Sequence, residues 1–329
     1  DLALFAGGFN ASGYSDAVDI YDGASGAWDT AALSEPRSLL AGASVGSLSF
    51  FAGGLHSTGR SNVVDIHDSL SGGWTTDTLS QYRDSLAAAG AGTKVLFAGG
   101  RTHDDRYSGL VDIYDTASEA WSSAFLSEPR AYLAATTAGD KAFFAGGFGA
   151  DGYSASVDIY DFATGVWTTA VLSEPRSFLS ATAVDGKALF SGGVGSAGYS
   201  DAVDIYDTAT GQWSTSTLAP GRQLSAAAPA GEFAFIGGGY NFDGESDVVN
   251  LYDSRNGLWS EMALSAPRTR LAAAHAGRTA LFAGGLGPGT SPYSDIVDLY
   301  DVPLIAVEGD ADLDGDVDIE DLSIFAGHW

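Results

Sequence analysis

Cysteine is missing from the chain altogether, which removes disulfides, thiolate nucleophiles, Cys-ligated zinc and iron–sulfur clusters together. Basic residues are scarce. Lys+Arg number 15 against 42 Asp+Glu in 329 residues, a formal charge of −27, and lysine occurs only as Lys94, Lys141 and Lys187. A surface this acidic repels phosphate backbones and anionic lipid, so neither nucleic acid nor a membrane surface is an expected partner. No apolar run approaches the ~18 residues of a membrane helix, and no membrane insertion is expected. An apolar content of 45% excludes general disorder. The length fits one large or two ordinary domains. The sequence starts at Asp1 rather than Met, so a leader is expected to have been removed already or never to have belonged to this stretch.

What is abundant is glycine, and it is periodic. Gly-Gly pairs close an apolar run at Gly7-Gly8, Gly53-Gly54, Gly99-Gly100, Gly146-Gly147, Gly192-Gly193, Gly237-Gly238 and Gly284-Gly285, at spacings of 46, 46, 47, 46, 45 and 47. After each pair comes a segment like Val18–Asp22 (VDIYD), the last of them Val297–Asp301. Tryptophan follows in six units, as Trp28, Trp74, Trp121, Trp167, Trp213 and Trp259. Seven copies of a unit of ~46 residues fall in the range of propeller blades.

Each unit reads as four short strands. In the second, Ser38–Val45 is rich in Ala, Gly and Ser, as suits an inner strand crowded near an axis. Leu48–Ala52 is a continuous apolar run of the kind covered on both faces. Val63–Ile66 alternates about Asp65, and a fourth strand starts at Trp74, whose ring suits the wedge between blades. Glycine pairs permit positive φ where the second strand ends, and Asp207 with Thr210-Gly211 is turn chemistry before the fourth strand.

By its apolar-Gly-Gly run, the tyrosine of VDIYD, the Thr-Gly-x-Trp turn and the Pro-Arg pair before the next inner strand, the chain resembles the kelch-repeat family of β-propellers. The resemblance covers residues 1 to about 301 and implies an all-β, seven-bladed kelch-like propeller that closes on itself. Departures are His67 in place of the tyrosine, Glu119-Ala120 in place of the Thr-Gly-x spacing, and the absence of tryptophan from the seventh unit. Seven blades need 28 strands, and the motifs supply 26. Val302–Val307, in a linker over residues 302–309, can be the outer strand of blade seven or the inner strand of blade one. The second use is favoured, because an open inner position would admit water to the axis. A strand from another copy is a further way to fill the gap.

Beyond the propeller the composition changes. Asp310–Asp321 reads DADLDGDVDIED, with Gly315 at the sixth position, where a calcium loop turns sharply. Asp310, Asp312, Asp314, the carbonyl of Asp316, Asp318 and Asp321 are the expected Ca2+ ligands, since hard cations take oxygen donors. Aspartate rather than glutamate at the twelfth position, with Leu322 and a short helix burying Ile319, Leu322, Phe325 or Ala326, and Trp329, resembles a dockerin-type half-module over residues 310–329. Dockerin modules carry two such loops, and only one is present here.

No catalytic constellation stands out. His56, His67, His103, His275 and His328 occupy different repeat positions without ligand or triad spacing. Asp19, Asp65, Asp112, Asp158, Asp204 and Asp298 recur, as do Arg37, Arg83, Arg130, Arg176, Arg222 and Arg268, and both sets read as scaffold. Positions that vary between repeats are more informative. By resemblance to kelch binding domains, one face near the channel mouth should carry Phe9, Arg101, Tyr132, Phe148, Phe178, Tyr240 and Arg270. Exposed aromatics of this kind suit a glycan, a peptide or another subunit. The loop Arg101–Tyr107 (RTHDDRY) breaks the repeat most, and Asn10-Ala11-Ser12 is a lone glycosylation sequon.

The expected function is a non-enzymatic binding or assembly module, secreted or at a bacterial cell surface, stabilised by calcium. Its partner would be a protein, including another copy in a filament, or a glycan. The alternative is a secreted carbohydrate-active enzyme or glycan-binding protein using Arg101, His103, Asp104 or the aromatic face. An intracellular substrate adaptor fits less well with a calcium loop. Calorimetric titration of the full chain with Ca2+ should show one site, and replacing both Asp312 and Asp314 by Asn should abolish the heat. Unchanged heat in that variant would remove the loop from consideration.

Overall fold

A computed structural model of the chain describes residues 1–290 and 292–302. The proposed calcium ligands, the short helix and all of the linker after Val302 therefore lie outside the described residues. Among the described residues there is no helix, and seven large antiparallel sheets follow one another along the chain, with six small ones of two-residue strands beside them. In the second sheet the strands are Ala41–Val45, Leu48–Ala52, Val63–Asp68 and Gly73–Thr78, hydrogen-bonded in that order from inner to outer. The third to sixth sheets repeat this meander. The first sheet holds only Leu2–Ala6, Ala17–Asp22 and Ala27–Ala32, and the seventh only Ala272–Ala276, Thr279–Ala283 and Val297–Asp301. The seven large sheets thus hold the 26 strands read from the motifs, short two-residue strands pairing beside them, and among the described residues the first sheet has no inner strand and the seventh no outer one.

Packing follows the sequence alternation. The second strand of each central sheet is covered on both faces, and Phe50, Phe97, Phe143, Phe144, Phe190 and Phe235 are among the largest fully buried side chains. Each such ring contributes roughly 1.5–3 kcal/mol relative to exposure. Seven apolar clusters span the seams between neighbouring sheets, including one of Ala3 and Tyr21 against Ala276 and Leu281 that joins the first sheet to the seventh. The arrangement is consistent with a multi-bladed propeller. Tryptophan plays its expected part: it pairs across strands with the VDIYD tyrosine, at centroid distances of 5.0 Å for Tyr114–Trp121 and Tyr160–Trp167, and lies over the seam with the preceding sheet.

Two details differ from the sequence reading. The inner strand of the second sheet begins at Ala41 rather than Ser38, because Ser38 pairs instead with Leu55. In the sixth repeat the glycine pair is Gly238-Gly239, with φ of 65° and 113°, while Gly237 belongs to the second strand. The pairs thus recur at spacings of 46 or 47 throughout. Three consecutive glycines concealed the register, and only the positive φ resolves it.

The recurring arginines and aspartates are partners. Arg37 binds Asp65 at 2.6 Å, Arg83 binds Asp112 at 2.5 Å, and Arg130 and Arg176 bind Asp158 and Asp204 at 2.7 Å; Arg268 binds Asp298. These guanidinium groups are fully or almost fully buried. In the sixth repeat the carboxylate is replaced by Asn250, so Arg222 has only the carbonyls of Gly238, Pro220 and Ile236. Burial without a carboxylate partner pulls its pKa down to about 10, with Glu261 opposing. The Asn250 carbonyl oxygen is buried without a hydrogen-bond partner.

Two stability predictions follow from these exceptions. Asn250→Asp should raise the melting temperature, because a charge-assisted bond to Arg222 is worth about 1–2 kcal/mol net of repulsion from Glu261. A lower melting temperature would refute the pairing. His67 is buried against Trp74 with its Nδ1 unpartnered, and burial depresses its pKa below the ordinary 6.5, against a smaller pull from Asp68. The unfolded chain therefore binds more protons around pH 6, and the contribution of His67 to stability falls as pH drops through 6.5. His67→Tyr should gain stability over the parent increasingly between pH 7 and pH 5.5 in urea melts, and a constant difference would contradict it.

Candidate binding surface at one end of the ring

Each sheet-to-sheet connection reaches one end of the ring and takes the same unusual turn. Two residues beyond each arginine stand Leu39, Ser85, Tyr132, Phe178, Leu224 and Arg270, and all six have φ between 53° and 58°. Non-glycine residues seldom enter this left-handed region, at a cost of order 1 kcal/mol or more each. A backbone ladder holds them there: Ser85 N–H donates to Leu39 C=O, Tyr132 to Ser85, Phe178 to Tyr132, Leu224 to Phe178 and Arg270 to Leu224, at 3.0–3.1 Å. The conformation belongs to the backbone, so the side chains at these positions are free to differ.

The residues after the glycine pairs lie beside the ladder. Bridges join Asp84 to Arg101, Ala131 to Phe148, Gln223 to Tyr240 and Thr269 to Leu286, so the two variable sets share one end of the ring. The expected residues meet one another and their neighbours in several contacts. Tyr132 and Phe178 form a pair with centroids 4.5 Å apart, and Arg101 donates to the Tyr132 hydroxyl at 3.1 Å. Phe148 contacts Tyr107 and Tyr153, Phe9 contacts Tyr14 and Tyr293, and Tyr240 contacts Tyr199. Arg270 is exposed at the last rung of the ladder.

The third repeat builds the most distinctive chemistry. Arg60 spans Asp84 at 2.6 Å and Asp105 at 2.7 Å, and Asp105 also accepts from Arg101 at 2.8 Å. Arg60 and Arg101 hold the Asp105 carboxyl below the usual carboxylate range, Arg60 foremost. Asp105 itself has φ of 60°, so the RTHDDRY loop folds back over its neighbours. Beside this cluster an open groove of about 570 Å³ is lined by Tyr82, His103, Asp104, Arg106, Tyr107 and Phe125, with Tyr82 and Phe125 widely exposed. Asp104 accepts from Thr102 Oγ1 at 2.5 Å and pairs with Arg106 at 3.0 Å; that hydrogen bond foremost keeps it ionised, which unsuits it to act as a general acid. Among the described residues no three His, Asp or Glu side chains converge as metal ligands.

Arg60, Asp84, Tyr82 and Phe125 escaped the sequence reading. A signal existed: Arg60 stands where Tyr14, Tyr153 and Tyr199 stand in other hairpins, and Tyr82 where Pro36, Pro129 and Pro175 precede the arginine. Departures from the repeat, rather than aromatic content, mark this site. No protein-family model matches the chain, and no curated protein matches it.

Proposed function

We propose that the chain is a seven-bladed, kelch-type propeller serving as an extracellular binding or assembly module. One observation carries the reading: six backbone positions of one conformation display aliphatic, hydroxyl, aromatic and cationic side chains, beside a charged and aromatic cluster unique to one repeat. The buried arginines are spent within the scaffold, so they are not available to a ligand. Tyr132 and Phe178 offer ring faces, and Arg101, Arg60 and Asp105 offer an ordered set of donors and acceptors beside them. Neutral glycans present both apolar ring faces and hydroxyls, which makes them the favoured ligand class for this surface. Self-association through the two open sheet edges is the assembly half of the reading, and the calcium loop is its stabilising element.

Calorimetry or array binding with neutral oligosaccharides tests the surface. Tyr132→Ala should weaken binding by about 1–3 kcal/mol, with the melting temperature nearly unchanged, because that side chain lies outside the buried core. Binding that ignores Tyr132→Ala and Phe178→Ala alike would sink the assignment. Turnover of a polysaccharide lost in His103→Ala would favour the enzymatic alternative at the adjoining groove.

A further inference from the structure

The RTHDDRY loop faces two surfaces. Arg101 pairs through its backbone with Tyr107, while its guanidinium donates to the Tyr132 hydroxyl and to Asp105. His103, Asp104, Arg106 and Tyr107 of the same loop line the groove of about 570 Å³. Across that groove stand Tyr82, from the connection between the second and third sheets, and Phe125, the last residue of an outer strand. The connection leaves the outer strand Gly73–Thr78 and passes Tyr82 before it reaches Ser85 on the ladder and the inner strand Ala87–Ala91. Tyr82 and Phe125 therefore lie toward the outer strands, whereas Tyr132 and Phe178 stand on the ladder beside the inner ones.

Both groove rings are exceptions to the repeat. Tyr82, 56% exposed, stands where Pro36, Pro129, Pro175, Gly221 and Pro267 stand in other connections. Phe125, 72% exposed, stands where Ala32, Thr78, Val171, Thr217 and Ala263 end their outer strands. Gln81 takes the place of Glu35, Glu128 and Glu174 and keeps their bond to a serine. Ser108 Oγ donates to its amide oxygen at 3.0 Å, as Ser61 donates to Glu35, which leaves the Gln81 NH2 group as a donor for a ligand. Asp104 and Arg106, paired at 3.0 Å, are the only Asp, Glu, Lys or Arg along the groove. In a chain of formal charge −27 this stretch is thus balanced. Its size falls within the roughly 300–1,000 Å³ of ligand sites.

Exposed ring faces, an amide and a balanced ion pair suit a ligand that has apolar faces and hydroxyls but no charge. We propose that the groove is a second subsite for the neutral glycan that Tyr132 and Phe178 engage, so that the ligand is an oligosaccharide of several units lying across the RTHDDRY loop, from the ladder toward the outer strands. Sugars whose hydroxyls are all equatorial, such as β-1,4-linked glucose, present flat C–H faces of the kind that pack on Tyr82 and Phe125. This deepens the glycan half of the function above and rests on it. That half names a ligand class; the groove adds a length and a direction across the ring.

The test is calorimetric titration of the full chain with β-1,4-linked gluco-oligosaccharides from disaccharide to hexasaccharide. Affinity should rise by about tenfold or more over the series, as a second subsite comes within reach of the same molecule. Tyr82→Ala and Phe125→Ala should each remove most of that rise while disaccharide binding and the melting temperature stay unchanged, because both side chains are exposed. Tyr132→Ala should weaken every length. Affinity that does not rise with length, or a rise that survives both groove substitutions, would overturn the second subsite and leave the ladder surface standing. A rise lost in Tyr82→Ala with Tyr132→Ala silent at every length would overturn the spanning arrangement and take the glycan off the ladder. Absence of binding at every length would also overturn the proposal, and the ladder reading falls with it only if other neutral oligosaccharides are silent too.

Discussion

At six seams one buried arginine ties a sheet to the next. Its N–H donates to a serine carbonyl of the preceding sheet, as Arg37 does to Ser15, and its carbonyl accepts from that sheet's glycine pair. Its guanidinium crosses its own sheet to an aspartate on the third strand and a carbonyl on the second, as Arg176 does with Asp204 and Phe190. Three neighbouring strands are thereby joined by a single side chain and its peptide unit. Burying a cation is unfavourable on its own, so the arrangement stands only where the carboxylate is close and the carbonyls are satisfied. The glycines are required because any side chain there would collide with the arginine carbonyl. Apolar seams supply most of the burial, but this lock sets their register.

The periodicity, strand order and strand count were legible because they rest on short-range patterning: apolar runs, alternating segments and turn residues. The Arg–Asp lock was half visible. Both residue types recur, and each arginine precedes its aspartate by a nearly constant 28–30 residues, but only coordinates show that they touch. The substitution of Asn250 for the sixth carboxylate was a readable sign of the exception. The left-handed ladder could not be read. Leu39, Tyr132 and Phe178 carry no local preference for positive φ, and the conformation is imposed by hydrogen bonds from the next sheet. For the same reason the contacts among the variable residues, such as the Tyr132–Phe178 pair, could not be read either.

Asymmetry in the ring arises from two sources of different kind. In the third repeat, polar and aromatic replacements gather on an unchanged backbone, and Arg60 from the second repeat leans across to join them. At the seam of the first and seventh sheets the described residues supply neither an inner strand for the first nor an outer strand for the seventh. There Leu299 and, just before the strand, Ile296 are exposed among the described residues.

The three lysines have a consequence of their own. Lys94, Lys141 and Lys187 each open a second strand and face the aspartate that closes the third, Asp115, Asp161 and Asp207. Second strands run from that end toward the glycine pairs, so every lysine of the chain lies at the end opposite the ladder. A reagent directed at lysine amines thus meets the molecule from one side. Coupled to a solid support through these groups, the ring would stand with its variable face outward.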